Sequence, residues 1–162
     1  MPDDNLKRMI ALAEEFFDVK NDPDQISVDE ETRKRLLAIH PNTMTEVRNE
    51  DGPIVWILVI PTTTDVMEQF LARKINEQQL LQKTSPGVRY EAVYLCSALV
   101  LPEHRGKGMA KRAAVQAVRE IQKQHPIKEL FAWTFSVEGE RLAVSIAGEL
   151  ALPLQIRCIH LP

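Results

Sequence analysis

Apolar residues recur at helical spacing over residues 4–18, at Leu6, Met9, Ile10, Ala13, Phe16 and Phe17. The run "NDPDQ" breaks that helix. In "SVDEETRKRLLAIHP" Ser27 and Glu30 have capping-box spacing, and Leu36, Leu37 and His40 share one side of a second helix ending before Pro41. The pattern then changes period. "TMTEVRNEDGPIVWILVIP" reads as a hairpin: a polar strand, a turn at Asp51-Gly52-Pro53 and a buried strand from Ile54 to Ile60. Residues 62–82 return to helical spacing through Val66, Met67, Phe70, Leu71 and Ile75, with Thr62 and Asp65 as caps and a break near Asn76. After the loop "TSPGV", the segment "EAVYLCSALVLP" is the longest apolar strand, interrupted only by Glu91 and Ser97. A strand apolar on both faces belongs in the middle of a sheet.

Residues 107–124 carry Met109, Ala110, Ala113, Ala114, Ala117, Val118 and Ile121 at helical spacing, and Pro126 ends the run. The small residues let this helix approach a sheet closely. "ELFAWTFS" predicts a strand. "EGERLAVSIAGELA" predicts a helix with Leu142, Ala143, Ile146 and Leu150 on one side, and "LPLQIRCIHLP" a terminal strand. The order ααββαβαβαβ defines an α/β or α+β fold with at least one parallel βαβ unit. At 162 residues it is read as one domain over residues 1–162.

Charge and composition exclude several classes. The net charge of −3 argues against general nucleic-acid binding. No apolar stretch reaches the ~20 residues of a membrane span, and the acidic start "MPDDNLKRM" is not that of a signal peptide. A cytoplasmic protein is expected. Cys96 and Cys158 sit in apolar runs and read as reduced thiols, and His40, His104, His125 and His160 are scattered, so no metal site is expected.

The exception to the acidic balance is "LPEHRGKGMAKRA", residues 101–113. Between Glu103 and Glu120 there is no acid, and the stretch holds Arg105, Lys107, Lys111, Arg112 and Arg119. Strand, glycine loop and helix together make an anion site, because a helix start leaves N–H groups unpaired and glycine lets an anion approach the backbone. A solvated basic helix after an ordinary glycine turn is the plainer reading. The P-loop pattern GxxxxGK[ST] is absent, and the third glycine of a GxGxxG fingerprint is replaced by Lys111.

The segment "ALVLPEHRGKGMAKRAAVQAVREI" resembles the acetyl-CoA-binding segment of the GNAT acetyltransferase superfamily, whose signature [QR]-x-x-G-x-[GA] is met by Arg105, Gly108 and Ala110. The resemblance implies a three-layer fold, a central mixed sheet flanked by helices, here with an extra helix before the central strand. It implies an acetyl-CoA cofactor held by the main chain of Gly106, Lys107, Gly108, Met109 and Ala110, with Arg105 adding charge. Leu99, Val100 and Leu101 would pair with the pantetheine arm like an added strand, where the central strand and "ELFAWTFS" splay apart. The implied reaction is direct attack of an unidentified amine on the thioester. Tyr94 stands where members with a glutamate base carry it, Cys96 shares its face, and Glu91 is the nearest carboxylate in sequence. Ala147 and Glu140 stand at the family's usual tyrosine and asparagine positions, which leaves an acyl-CoA-binding module as the alternative.

Overall fold

The computed structural model describes residues 3–20 and 30–157, with side chains described for 4–15 and 30–157. The elements are α1 (Asp3–Lys20), α2 (Glu30–Ile39), β1 (Met44–Asn49), β2 (Gly52–Thr62), α3 (Thr64–Leu71), α4 (Glu77–Lys83), β3 (Ala92–Val100), a 3-10 turn (Pro102–His104), α5 (Met109–Gln122), β4 (Glu129–Ala132), α6 (Val137–Leu150) and β5 (Leu154–Ile156). Ser27, Cys158 and His160 lie outside the described residues, as do the side chains of Phe16 and Phe17.

One five-stranded mixed sheet runs in the order β1-β2-β3-β4-β5. The first three strands are antiparallel, and β3, β4 and β5 are parallel. The apolar strand β3 is central, as its two-sided pattern requires. Helices flank the sheet. α5 packs on β2 with β1 and β3 beside it, burying Ala113, Ala114, Ala117, Val118 and Ile121. Its end is tied to the end of α2 by a 2.7 Å bond between His40 Nε2 and Gln124 Oε1. Phe70 of α3 packs on Tyr94 and Phe131, with ring centroids 4.9 and 5.9 Å away. No helix among the described residues is long and apolar enough to cross a membrane.

Several boundaries differ from the sequence pattern. The helix expected over 62–82 is two helices. Arg73 adopts a left-handed φ of 63° just after α3, and a capping box between Asn76 and Gln79 starts α4. The cap of α3 is Thr63, which accepts from Val66 N at 3.3 Å, while Thr62 closes β2 and bonds Thr84. The hairpin turn is Glu50–Asp51, because Asn49 already pairs with Gly52. Only part of the expected apolar faces is covered: Met9 and Leu36 are buried, while Leu6, Ile10 and Leu37 are exposed. β4 stops at Ala132, four residues short of the expected strand. The carbonyl of Ala132 is taken by Arg157 N at 2.8 Å, which holds the chain on the β5 side.

Candidate functional site

That early stop makes a cleft. β3 and β4 are paired from Ala92↔Glu129 to Leu95↔Ala132 and then part. β3 continues for five residues, of which Ser97 to Val100 are paired to β2 alone while the register skips Cys96. The space between has a volume of about 870 Å³, a size typical of ligand sites. Cys96 to Val100 form one wall, Trp133 to Ser136 the other, and Leu142, Ala143 and Ile146 of α6 add to it. Leu12 and Glu15 of α1 also border it, and the glycine loop closes one end.

The free edge of β3 presents main-chain groups to this space. Leu101 N donates to Ile54 O of β2 at 3.0 Å. Backbone groups alternate between the two edges of a strand, so those of Val100 and Ala98 face the cleft. The Val100 carbonyl is in fact taken from that side by Arg105 Nε, at 3.0 Å. Of the edge residues expected to pair with a ligand, Val100 is therefore suitably turned, whereas Leu99 and Leu101 offer their backbone to β2.

The loop itself is built by two glycines. Gly106 and Gly108 have φ of 78° and 74°, where an L side chain is strained. Gly108 is the N-cap of α5, with no side-chain cap and no acid in the first turn. Arg112 N is the first to bond back, to Gly108 O at 3.0 Å. The N–H groups before it carry the positive end of the helix dipole. Arg112 Nη1 also holds the Lys107 carbonyl, at 2.9 Å, which fixes the loop's curve. A Cβ on Gly106 would meet nothing within 4 Å. Arg105, Gly106, Gly108, Met109, Ala110 and Lys111 all border the cleft; Lys107 does not. Glu103 faces away, in a bidentate pair with Arg8 of α1 at 2.6 and 2.7 Å. That bond holds its carboxyl down at about 2. Two buried polar atoms of cleft residues, His104 Nδ1 and Trp133 Nε1, have no hydrogen-bond partner among the described residues. Buried polar atoms are seldom left so in a closed core.

Below the fork lies a polar cluster that the sequence pattern did not reveal. Glu77, the first residue of α4, is only 2% exposed. Its Oε2 accepts from the Tyr94 hydroxyl and from Cys96 Sγ at 3.7 Å. Burial first, and then the neighbouring Glu77, push the Tyr94 hydroxyl well above its usual range, so it remains the donor. The Arg157 guanidinium is stacked between Phe70 and Trp133, 4.5 Å from each ring centre, and donates to Ile75 O at 3.1 Å.

The three catalytic candidates part company here. Cys96 borders the cleft. Tyr94 is fully buried behind it and supports Glu77. Glu91 is at the opposite end of β3, on the surface, paired with Lys128 at 2.9 Å. The hydrogen bond from Lys128 is the main reason its carboxyl is held below the usual range. Among the described residues no group of three or more His, Cys, Asp or Glu is placed to hold a metal ion. Comparison with protein-family models gives no match, and comparison with curated proteins gives none either.

Proposed function

We propose that the protein is an N-acyltransferase of the GNAT type, moving an acetyl group from acetyl-CoA to an amine. The observation that carries this reading is the continuity of one cleft. A cationic glycine loop at a helix start meets the free edge of a strand, which leads to a fork in the sheet. From Val100 to Cys96 the strand advances about 13 Å at ~3.3 Å per residue. A ligand with phosphates at one end, an extended amide arm and a reactive group at the tip matches that plan. The unpartnered His104 Nδ1 and the open space over Gly106 fit the phosphate end.

In this reading the loop N–H groups and Arg105 neutralise the pyrophosphate. The edge groups of Val100 and Ala98 hold the arm as an added strand. An amine must reach the thioester as the free base, since a lysine-like ammonium has a pKa of about 10.4. Glu15 and Glu138 border the same cleft and favour a cationic acceptor.

Thermal unfolding with acetyl-CoA, CoA and NAD in parallel tests the ligand. At about 100 times its dissociation constant a ligand stabilises by roughly 2.7 kcal/mol. A shift with the CoA species alone supports the reading, and no shift with them overturns it. Release of free thiol from acetyl-CoA across a panel of amines then tests transfer. A second reading, a module that holds acyl-CoA without transfer, is favoured by Ala147, which is buried in the core, and by the exposed Glu140. Binding without thiol release on any amine would select it.

A further inference from the structure

The β3–β4 ladder closes on a pair of stacked rings. Tyr94 opposes Phe131, their centroids are 5.1 Å apart, and Phe70 packs on both from one side of the sheet. Side chains two residues apart on a strand share a face. Trp133 therefore follows Phe131 on that side, with its ring 6.1 Å from Phe70. Cys96 follows Tyr94 there. The β2 register skips it in a one-residue bulge between Leu58 and Val59, yet its Sγ and the Tyr94 hydroxyl both bond Glu77. Cys96 and Trp133 are thus the first two side chains on this face beyond the last rung, Leu95↔Ala132. Both border the cleft, one with a thiol and one with an indole.

The indole is fixed in place. The Arg157 guanidinium lies 4.5 Å from its ring centre and 4.5 Å from that of Phe70. That guanidinium donates to Ile75 O at 3.1 Å, and the main chain of Arg157 is tied to Ala132 O at 2.8 Å. Phe135 packs on the indole with centroids 4.6 Å apart. A chain growing from a thioester at this tip meets a wall on every side. Straight ahead is the hydrogen-bonded main chain of the ladder. On the α6 side are Ala143 and Ile146, both part of the buried core. Beneath the indole are Phe70 and Tyr94, both fully buried, in packing that takes no added methylene without strain. The indole is the wall that one substitution can remove.

We propose that Trp133 limits the acyl group to a short chain, so that acetyl is held and hexanoyl is refused. This rests on the acyl-CoA reading above and names which donors serve it. The selection is made on binding, by the shape of the tip, and leaves direct attack by the amine as it stands.

The test titrates the full chain calorimetrically with CoA, acetyl-CoA, butyryl-CoA and hexanoyl-CoA, with no amine present. The wild type should bind hexanoyl-CoA at least tenfold more weakly than acetyl-CoA, with butyryl-CoA between them. In Trp133→Ala the order should invert. Each methylene that gains apolar room is worth about fourfold in affinity, so hexanoyl-CoA should bind at least tenfold more tightly than acetyl-CoA. CoA itself should bind as in the wild type. Should that variant fail to fold, Trp133→Leu keeps an apolar contact on the guanidinium and should bring hexanoyl-CoA level with acetyl-CoA. A wild type that binds hexanoyl-CoA as tightly as acetyl-CoA overturns the proposal, and so does a folded variant that keeps the wild-type preference. Either result leaves the acyl-CoA reading standing. Absence of binding by all four ligands overturns both.

Discussion

Gly106 and Gly87 form a matched pair in which backbone strain and ligand contact can be separated. Their φ values are 78° and 82°, and a Cβ at either would meet no atom within 4 Å. Alanine at each site therefore adds left-handed strain and no clash. That strain is worth about 1–2 kcal/mol. For a chain of this length it lowers the unfolding midpoint by about 2–8 °C. Both variants should show the same loss by thermal unfolding. They should differ in calorimetric titration with CoA. Gly87 lies outside the cleft, so Gly87→Ala binds as the wild type does. The Cβ of Gly106→Ala projects into the space assigned to the pyrophosphate, and affinity should fall at least tenfold, about 1.4 kcal/mol. If Gly106→Ala loses stability but keeps its affinity, the loop is not the anion site. If it loses neither, the left-handed loop conformation itself is refuted.

Other consequences can be measured on the same chain. Tyr94→Phe removes a buried donor to Glu77 and should cost about 1–3 kcal/mol in urea unfolding; an unchanged midpoint would show that the hydroxyl is not needed there. Phe70→Ala opens a hole beneath Tyr94, Phe131, Trp133 and the Arg157 guanidinium and should cost about 3–5 kcal/mol, read the same way. The carboxyl of Glu103 is held at about 2 by Arg8, below its unfolded value. A lowered carboxylate stabilises above the unfolded value and loses that contribution as pH falls toward the folded one. Amide exchange in α1 should therefore rise, relative to the rest of the fold, as pH drops from about 4.5 toward about 2. Glu103→Gln should abolish that pH dependence, and its persistence in the variant would exclude the Arg8 tether as the cause.

The parts of the site that were legible in the sequence are those made by neighbours along the chain. A two-sided apolar strand, glycines and an alanine-faced helix follow one another within residues 91–124. Local backbone rules join such segments directly, and the described order matches the pattern apart from the divided third helix. The cluster at Glu77 was hidden for the opposite reason. Glu77 lies 17 and 19 residues from Tyr94 and Cys96. As an acid in the first turn of a helix it reads as a solvated partner of the dipole. Only the left-handed turn at Arg73 and the capping box at Asn76 redirect α4 so that this first turn points inward. Trp133 falls within the strand expected from "ELFAWTFS" because the run Leu130 to Trp133 is apolar. Its place is set by stacking on Arg157, a contact 24 residues away in sequence that no periodicity reports.

The bulge at Cys96 shows the same limit more sharply. On a strand with one wet face, a one-residue slip moves every apolar side chain to the wrong side, and the pattern betrays it. "AVYLCSALV" is apolar on both faces, so a slip leaves no trace in its alternation. Register is then imposed by the partners: β2, itself buried almost throughout, and β4, which ends at Ala132. The loss of one neighbour and the slip against the other fall at the same point on β3. Strand separation opens room for a ligand tip there, and the residue that the β2 register skips, Cys96, borders that room. On physical grounds the cleft and the exposure of Cys96 share one origin, the central strand outrunning its parallel neighbour. Extending β4 by restoring pairing beyond Ala132 would close the cleft and bury the thiol together, whereas changes confined to the glycine loop would leave the Cys96–Glu77 contact intact.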